Sequence, residues 1–294
     1  TLVKFKYPAL KFIKVACGGM HTILLSTEGR VYSCGCNDEG ALGRSISNVS
    51  EYEFMEVKFP KNVKISAIVA GDSFSAALTT TGVVYAWGVF RDCQGPIGLI
   101  KYKECQNTPA IIYDDIEHPC IQISGGNNHL MILSQQGRVF SCGCGDDGQL
   151  GRVSERTVMS RGGRYGLKIF LKPIEVVLPN KFKDSLKRSS KHDGVAEIVY
   201  AGKCNTFVRM KNSALMGWGL NGFRQISQKN GNQIFFPIFL DEVEHQTNIS
   251  LTNEVHISAG IGHTMIYYRP HGSVYTLGDN SFCQLGRNTQ NKSF

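Results

Sequence analysis

One unit of sequence recurs five times along the chain, and this repeat constrains the fold more than any other feature. Residues 18–44 read GGMHTILLSTEGRVYSCGCNDEGALGR, and residues 126–152 read GNNHLMILSQQGRVFSCGCGDDGQLGR. Weaker copies begin at Gly71, Gly202 and Gly260. A repeat period of about 50 residues is typical of arrays in which each copy forms one supersecondary unit. We therefore interpret the chain of 294 residues as a repeat protein.

All five copies share the same internal spacing. A polar or aromatic residue, here called the slot residue, is followed eight or nine residues later by a turn residue, and a glycine comes six residues after that. A short alternating run with Val, Tyr or Phe lies between the turn and the glycine, which predicts a β-hairpin. No copy has the 3.6-residue period of a helix. The slot residues are His21, Phe74, His129, Asn205 and His263.

The repeat predicts an all-β fold of the propeller type. Four short strands fit into each interval between copies, so each copy is expected to form one blade. The 32 glycines are explained by the turns that recur in every copy. We expect a single β-propeller domain over residues 1–294, with repeats near 18–44, 71–98, 126–152, 202–227 and 260–287.

The recurring cysteines and histidines can be explained by packing. Cys34 and Cys142 occupy a position that is Trp or Leu in the other copies. We therefore expect them in the sheet core, since zinc sites need four ligands with wider paired spacing. The histidine recurs, whereas a catalytic base is needed once, so we expect hydrogen-bonded strand ends. No phosphate-binding loop, nucleophile elbow or zinc-protease motif is present in the sequence. We expect no metal, no cofactor and no covalent catalysis.

The second copy carries an insertion. The step from the glycine of its VYxxG string to the glycine of its LG pair is ten residues, against eight in copies one, three and five. Two extra residues at a blade turn predict a projecting loop, with Gly95 and Pro96 fixing its turn and Phe90, Arg91 and Asp92 displayed on it. A tolerated loop variant is the alternative. The inserted stretch is Phe90, Arg91, Asp92, Cys93, Gln94, Gly95, Pro96 and Ile97.

A second insertion lies between copies three and four. Their slot residues are 76 residues apart, against 53, 55 and 58 for the other intervals. Residues 152–191 hold 11 basic and 3 acidic side chains, so this segment accounts for the whole formal charge of +8. Charge confined in this way favours polyanion binding, although a solvated surface loop is the alternative. No stretch has the ~18 apolar residues of a membrane helix, so we expect no membrane partner.

Several strings resemble the regulator-of-chromosome-condensation repeat family. They are GCNDEGALGR, FRD followed by GPIGL, and RGGRYGL, and the resemblance extends over nearly all of the chain. It implies a seven-bladed propeller, of which five repeats are visible here. It also implies guanine-nucleotide exchange on the Ran GTPase without covalent chemistry. The family would place the protein in the nucleus on chromatin, with Ran on one face and the nucleosome on another.

The resemblance also implies roles for individual residues. Residues 90–97 match the wedge that presses on the phosphate-binding region of Ran, with Asp72 and Asn128 as further GTPase contacts. Asn128 stands where the family has a carboxylate and Gly262 where it has a histidine, so two polar contacts with Ran are altered. Arg161 and Arg164 match arginines that face the histone acidic patch. The implied contacts to the DNA backbone are Lys181, Lys183, Lys187, Arg188 and Lys191.

Three functions are compatible with these features. The first is a chromatin-bound exchange factor for Ran, indicated by the insertion of copy two beside the basic segment. The second is a chromatin-binding propeller adapter without exchange activity, indicated by Asn128 and Gly262. The third is an enzyme-associated propeller of the same repeat superfamily, which the lack of a catalytic motif disfavours.

Overall fold

Five antiparallel sheets follow one another along the chain, one for each repeat, in a computed structural model that describes residues 10–45, 51–179, 194–240 and 255–287. Within these ranges the first four sheets have four strands and the fifth has three. The predicted all-β propeller fold is confirmed, and the total of seven blades stays a prediction.

The strands are numbered in chain order. The first sheet contains β1 (Phe12–Cys17), β2 (His21–Ser26), β3 (Val31–Gly35) and β4 (Met55–Val57). The second contains β5 (Ile65–Ala70), β6 (Phe74–Thr79), β7 (Val84–Gly88) and β10 (Gln106–Tyr113), with a separate hairpin of β8 (Phe90–Asp92) and β9 (Gly95–Gly98). The third contains β11 (Cys120–Gly125), β12 (His129–Ser134), β13 (Val139–Gly143) and β14 (Ile174–Glu175). The fourth contains β15 (Ala196–Ala201), β16 (Asn205–Met210), β17 (Leu215–Leu220) and β18 (Gln233–Phe239), and the fifth β19 (Val255–Ala259), β20 (His263–Tyr268) and β21 (Ser273–Gly278).

Helical structure in the described residues is short. The basic insertion contains α1 (Glu155–Met159), a 3₁₀ turn (Gly163–Tyr165) and α2 (Lys168–Leu171), and a second 3₁₀ turn (Arg269–His271) connects β20 to β21. No helix within the described ranges is long and apolar enough to span a membrane.

The constant spacing inside each copy follows from the pairing of its second and third strands. The slot residue at the start of the second strand pairs with the glycine that ends the third, as in His129 with Gly143. The backbone of Gly143 has φ +112°, and a Cβ atom there would lie 2.3 Å from the carbonyl oxygen of Asn128. Only glycine fits that conformation and that close approach, so the position is glycine in all five copies.

Neighbouring sheets pack through their first strands and their faces. Strand β1 contacts β5, β5 contacts β11, β11 contacts β15, and β15 contacts β19, which forms the inner row of strands expected in a propeller. The apolar core lies between adjacent sheets. Ile23 of the first sheet and Trp87 of the second, for example, belong to one buried cluster.

Two slot histidines connect adjacent sheets by hydrogen bonds. His21 Nε2 lies 2.8 Å from Ser75 Oγ, whose hydroxyl donates to the carbonyl oxygen of Ala41. His129 Nε2 lies 3.1 Å from Thr206 Oγ1, whose hydroxyl donates to a main-chain carbonyl in the same way. Because each hydroxyl proton is already committed, each histidine donates from Nε2. The predicted structural role is confirmed for His21 and His129.

Burial of these two histidines makes stability dependent on pH. Burial lowers the pKa of His21 to about 4 and that of His129 to about 3, from 6.5. The unfolded chain therefore binds more protons below pH 6.5, so stability present above that pH is lost as the pH falls towards 4. We expect a loss of about 2–3 kcal/mol between pH 7.5 and 5.5, at ~1.4 kcal/mol per pH unit for each histidine. Urea unfolding at the two pH values measures it.

The fourth sheet supplies the control for this prediction. Its slot residue is Asn205, which shows that the fold accepts asparagine there. The variant His129→Asn should lose about half of the pH dependence, since its slot no longer titrates. An unchanged difference between pH 7.5 and 5.5 would show that other groups produce the pH dependence.

The cysteine prediction is confirmed in one of two cases. Cys142 is fully buried, and burial raises the pKa of its thiol to about 12, so the thiolate that a metal needs is disfavoured. Cys34 is only half-buried, so the predicted core position does not hold fully for it.

Candidate functional site: a hairpin on one face of the propeller

One face of the propeller collects most of the predicted GTPase contacts. The start of each second strand lies beside the end of each third strand, as the pairs His21 with Gly35 and His129 with Gly143 show. The loops before the second strands and the loops after the third strands are therefore on the same face. We call it the slot face. It carries the insertion of copy two together with Asp72 and Asn128.

The insertion of copy two folds into the hairpin β8–β9, here called the wedge hairpin. Its strands pair Phe90 with Gly98 and Asp92 with Gly95. The tip is made of Cys93, Gln94, Gly95 and Pro96, and Cys93, Gln94 and Pro96 are exposed. The projecting loop that the extra residues predict is confirmed, and it is an ordered hairpin.

The prediction that Phe90 is displayed on this loop is wrong. Phe90 is fully buried, and its ring packs against Phe74 with 4.7 Å between the ring centroids. Ile97, at the other end of the insertion, is also buried. Because β8 alternates sides, Phe90 points into the core between sheets two and three and anchors the hairpin. The prediction that Asp92 is displayed is also wrong, because its side chain is only 5% exposed.

The base of the wedge hairpin is held by Asn128. The Oδ1 atom of Asn128 accepts a hydrogen bond of 3.0 Å from the backbone N–H of Arg91, and its Nδ2 donates to Asp72 Oδ2 at 3.4 Å. The structure therefore brings together three of the predicted contact positions. Asn128 can make both bonds because an amide both accepts and donates, which an ionised carboxylate cannot do.

Two acidic residues from the turns that follow the third strands of copies one and three also contact the hairpin. The guanidinium of Arg91 forms an ion pair with Glu39. The backbone N–H of Cys93 donates to Asp146 Oδ2 at 3.0 Å. Glu39 lies four residues after the glycine that ends the third strand of its copy, and Asp146 lies three residues after the corresponding glycine. Only the placement of the second copy between copies one and three could have indicated their contact with the hairpin.

Gly262 differs from the family expectation for a visible reason. A Cβ atom at Gly262 would lie 2.9 Å from Cδ2 of Phe223, whose ring is half exposed beside it. The space of a larger side chain at position 262 is therefore taken by an aromatic ring from the preceding sheet. The polar group implied by the family is replaced here by apolar surface.

The basic insertion places its two predicted histone-binding arginines differently. Arg161 turns towards the wedge hairpin, and its Nη1 donates to Asp92 Oδ2 at 2.8 Å. Arg164 is exposed and lies over the ring of Tyr165, 4.8 Å from its centroid, with Nη2 donating to the Tyr165 hydroxyl at 2.7 Å. The predicted DNA contacts lie outside the described residues; they are Lys181, Lys183, Lys187, Arg188 and Lys191.

Arg152, at the start of the insertion, has a structural role. Its guanidinium donates to the carbonyl oxygens of Ser141, at 3.2 Å, and Ile169, at 3.0 Å. Burial lowers the pKa of Arg152 to about 10, which leaves it charged at neutral pH. This arginine fastens the insertion to β13, so it is not part of a polyanion-binding surface.

A cavity of about 360 Å³ separates the wedge hairpin from the insertion. Its walls include Cys93 from the hairpin, Asp146 from the third sheet, and Leu167 and Phe170 from the insertion. Further down, Phe90, Ile97 and Phe170 share one hydrophobic cluster. The two segments are thus packed together at the base and separated near the tip.

Comparison with known proteins places the chain in a family. The RCC1-like domain matches residues 2–293. The human protein "Regulator of chromosome condensation" is 36% identical over 291 residues, which cover 97% of this chain and 65% of that protein. "Guanine nucleotide exchange factor SRM1" of Saccharomyces cerevisiae is 32% identical over 311 residues, with 94% and 58% covered.

A solved structure agrees with these sequence matches. The crystal structure of Prp20p from Saccharomyces cerevisiae, described with its binding properties to Gsp1p and histones, superimposes with a TM-score of 0.75 at 30% identity. The match covers 95% of this chain and 60% of that one, so the chain spans about three fifths of the length of these relatives. From its repeats, its propeller sheets and these matches, the chain belongs to the RCC1-like domain family, alongside the regulators of chromosome condensation.

Proposed function

We propose that this protein is a guanine-nucleotide exchange factor for a GTPase of the Ran type, and that the wedge hairpin displaces the nucleotide. The observation that carries the proposal is the hairpin itself. Within the residues that the structure describes, copy two alone has a two-stranded hairpin after its third strand. The hairpin also stands on the slot face beside Asp72 and Asn128. The names of the relatives support the same activity.

The mechanism is differential binding and needs no covalent step or cofactor. A protein that binds the nucleotide-free GTPase more tightly than the nucleotide-bound form lowers nucleotide affinity by the same factor. An exposed tip of Cys93, Gln94 and Pro96 that enters the phosphate-binding region competes with the nucleotide for space. The hairpin resists being pushed back because Phe90 and Ile97 anchor it in the core.

The charge of the slot face suits a nucleotide-free GTPase. Loss of the phosphates leaves a lysine and several backbone amides of the phosphate-binding loop without their anion. Carboxylates around the hairpin, including Asp72 and Asp146, supply negative charge for such groups. Asn128 contributes polarity without charge, so we expect this face to attract the vacated loop less strongly than a face with a carboxylate at that position.

Release of a fluorescent GDP analogue from Ran tests the activity. Catalytic amounts of the protein should accelerate release about 100-fold over the spontaneous rate, because a coupling of this size in nucleotide affinity is expected to appear mainly in the dissociation rate. A small GTPase from another family, assayed in parallel, should show no acceleration. If Ran is also unaffected, the exchange proposal fails, and the chromatin adapter becomes the better account.

We also propose that the protein binds chromatin through its basic insertion. The observation that favours this second activity is Arg164, which is exposed and has no acidic partner among the described residues. A guanidinium forms paired hydrogen bonds with carboxylates, which suits the acidic patch of histones. The basic residues of 181–191 would add contacts to the DNA backbone that do not depend on sequence. Nuclear localisation follows from both proposed partners.

Arg164→Glu is expected to weaken nucleosome binding about tenfold, because it replaces a charge-assisted contact with repulsion. Nucleotide release from Ran should stay within a factor of two, since Arg164 does not line the cavity beside the hairpin and its hydrogen bond is to Tyr165. Electrophoretic mobility shifts of reconstituted nucleosomes measure the first quantity. Unchanged nucleosome affinity in Arg164→Glu would remove this residue from the chromatin contact.

A further inference from the structure

We propose that Arg161 is a positioning residue for the wedge hairpin, which it holds through Asp92, and that it is not a histone anchor. The inference rests on the proposed exchange function only for its kinetic consequence. The Nη1 to Oδ2 distance is 2.8 Å, and the side chain of Asp92 is 5% exposed while that of Arg161 is 34% exposed. A carboxylate covered to this extent is costly to leave unpaired. Arg161 therefore cannot leave Asp92 for a histone without that penalty.

The carboxylate of Asp92 connects Arg161 to the shape of the tip. Its Oδ1 atom accepts the backbone N–H of Gln94 at 2.8 Å, which closes the turn at the end of β8. Its Oδ2 atom is the one that pairs with Arg161. Since the two oxygens belong to one rigid group, the arginine orients the same carboxylate that forms the turn. The tip residues of the wedge hairpin thus depend on a residue of the basic insertion.

The backbone of Arg161 indicates that its side chain is needed at this position. Arg161 has φ +50°, in the left-handed region that glycine favours, and the following Gly162 and Gly163 are also left-handed. Its N–H donates to the carbonyl oxygen of Val158 at 2.8 Å as α1 ends. A non-glycine residue is strained in this conformation and persists where the surroundings hold it. With its backbone in this conformation, Arg161 reaches Asp92 with its guanidinium.

Beside the cavity, the ion pair of Arg161 with Asp92 connects the insertion to the hairpin close to its tip. Asp92 and Arg161 both line that cavity, whereas the apolar packing of the insertion against the hairpin lies deeper, at Ile97 and Phe170. A void supplies no packing contacts. The other contacts that hold β8 and the tip come from the first and third sheets, through Glu39, Asn128 and Asp146. Arg161 thus contributes the ion pair by which the insertion holds the hairpin.

Arg164 provides the contrast within the same RGGR string. It lies three residues along, is exposed, and contacts only its neighbour Tyr165 in the described part of the chain. The two arginines of this string therefore have different roles. Arg164 is available to a partner, whereas Arg161 forms an ion pair with Asp92 of the same chain.

Hydrogen exchange of the hairpin amides tests this directly and does not need a GTPase. The N–H groups of Cys93 and Gln94 are bonded to Asp146 and Asp92. We expect Arg161→Gln to raise exchange in peptides covering residues 90–98 at least fivefold. Arg161→Lys, which keeps the charge, should restore most of the protection. Arg164→Gln is the matched control and should leave these amides unchanged.

A double-mutant cycle adds specificity. Asp92→Asn keeps an acceptor for Gln94 but removes the charge, so Arg161→Gln combined with Asp92→Asn should be no worse than either single variant. At saturating protein, Arg161→Gln should slow nucleotide release from Ran about tenfold, with little change in the concentration of the protein that gives half of the maximal rate. Nucleosome affinity should fall in Arg164→Gln and stay level in Arg161→Gln.

Two results would overturn the inference. One is unchanged hairpin exchange in Arg161→Gln, and the other is a loss of nucleosome affinity in that variant as large as in Arg164→Gln. If the unaltered protein does not accelerate nucleotide release from Ran, the proposed exchange function fails, but the inference about Arg161 does not fail with it. The hydrogen-exchange comparison then still decides whether Arg161 positions the hairpin.

Discussion

Replacement of the wedge hairpin by the matching loop of copy three is expected to lower nucleotide release from Ran about 100-fold. The chain itself supplies the graft, in which residues 89–97 are exchanged for the sequence CGDDGQL of residues 144–150. That loop is two residues shorter and follows the third strand of its own sheet without forming a hairpin. The graft removes the surface proposed to compete with the nucleotide, and with it the coupling between the two binding events. Fluorescent-nucleotide release measures the effect.

A loss of exchange activity can be attributed to the hairpin only when the grafted protein is folded. Its Leu150 is buried, as Ile97 is, so the copied loop replaces one of the two core anchors, and the loss of the other, Phe90, should lower the free energy of unfolding while the sheets still form. Far-ultraviolet circular dichroism and the affinity for nucleosomes should therefore remain close to those of the unaltered protein. Full exchange activity in a folded graft would show that the hairpin is not the displacing element.

Phe90→Ala is expected to lower the free energy of unfolding by about 3–5 kcal/mol, the usual cost of emptying a buried aromatic site. Phe90 is fully buried and touches the ring of Phe74, the slot residue of its own sheet. The cavity would lie where the second and third sheets meet, because Leu130 and Ile132 belong to the same cluster. Urea unfolding at pH 7.5 measures the loss.

An exposed neighbour provides the comparison for Phe90. Gln94→Ala, at the tip, should change the free energy of unfolding by less than about 0.5 kcal/mol, because surface substitutions away from special features usually do. The two variants separate the anchoring part of the wedge hairpin from its displayed part. Equal effects of Phe90→Ala and Gln94→Ala on stability would contradict the placement of Phe90 in the core.

The sequence predicted the fold well because the repeat reports backbone geometry directly. The glycine six residues after each turn residue is required by a close approach such as that of Gly143 to the carbonyl of Asn128, so its spacing marks strand pairing. The hydrogen-bonded roles of His21 and His129 could be inferred because recurrence itself argues against catalysis. The helices of the basic insertion could not be inferred, since a segment that occurs once has no second copy to compare.

The candidate site was predicted in its location but not in its orientations. Counting residues located the extra turn of copy two, but it could not show that Phe90 faces inward, because that depends on the register of β8. The same limit applies to Arg161 and Arg164. Their shared RGGR string gives no sign that one pairs with Asp92, which lies 69 positions earlier in the chain. Contacts between distant segments need the three-dimensional arrangement.

The central claim is that the protein binds a GTPase differently with and without nucleotide. The most direct measurement is the affinity for Ran in the nucleotide-free and GDP-bound states, determined by titration under identical salt conditions. The account predicts that the nucleotide-free form binds at least 100-fold more tightly, and that added GDP dissociates the complex by the same linkage. Equal affinity for the two forms would contradict it, because a partner that does not distinguish the states cannot displace the nucleotide.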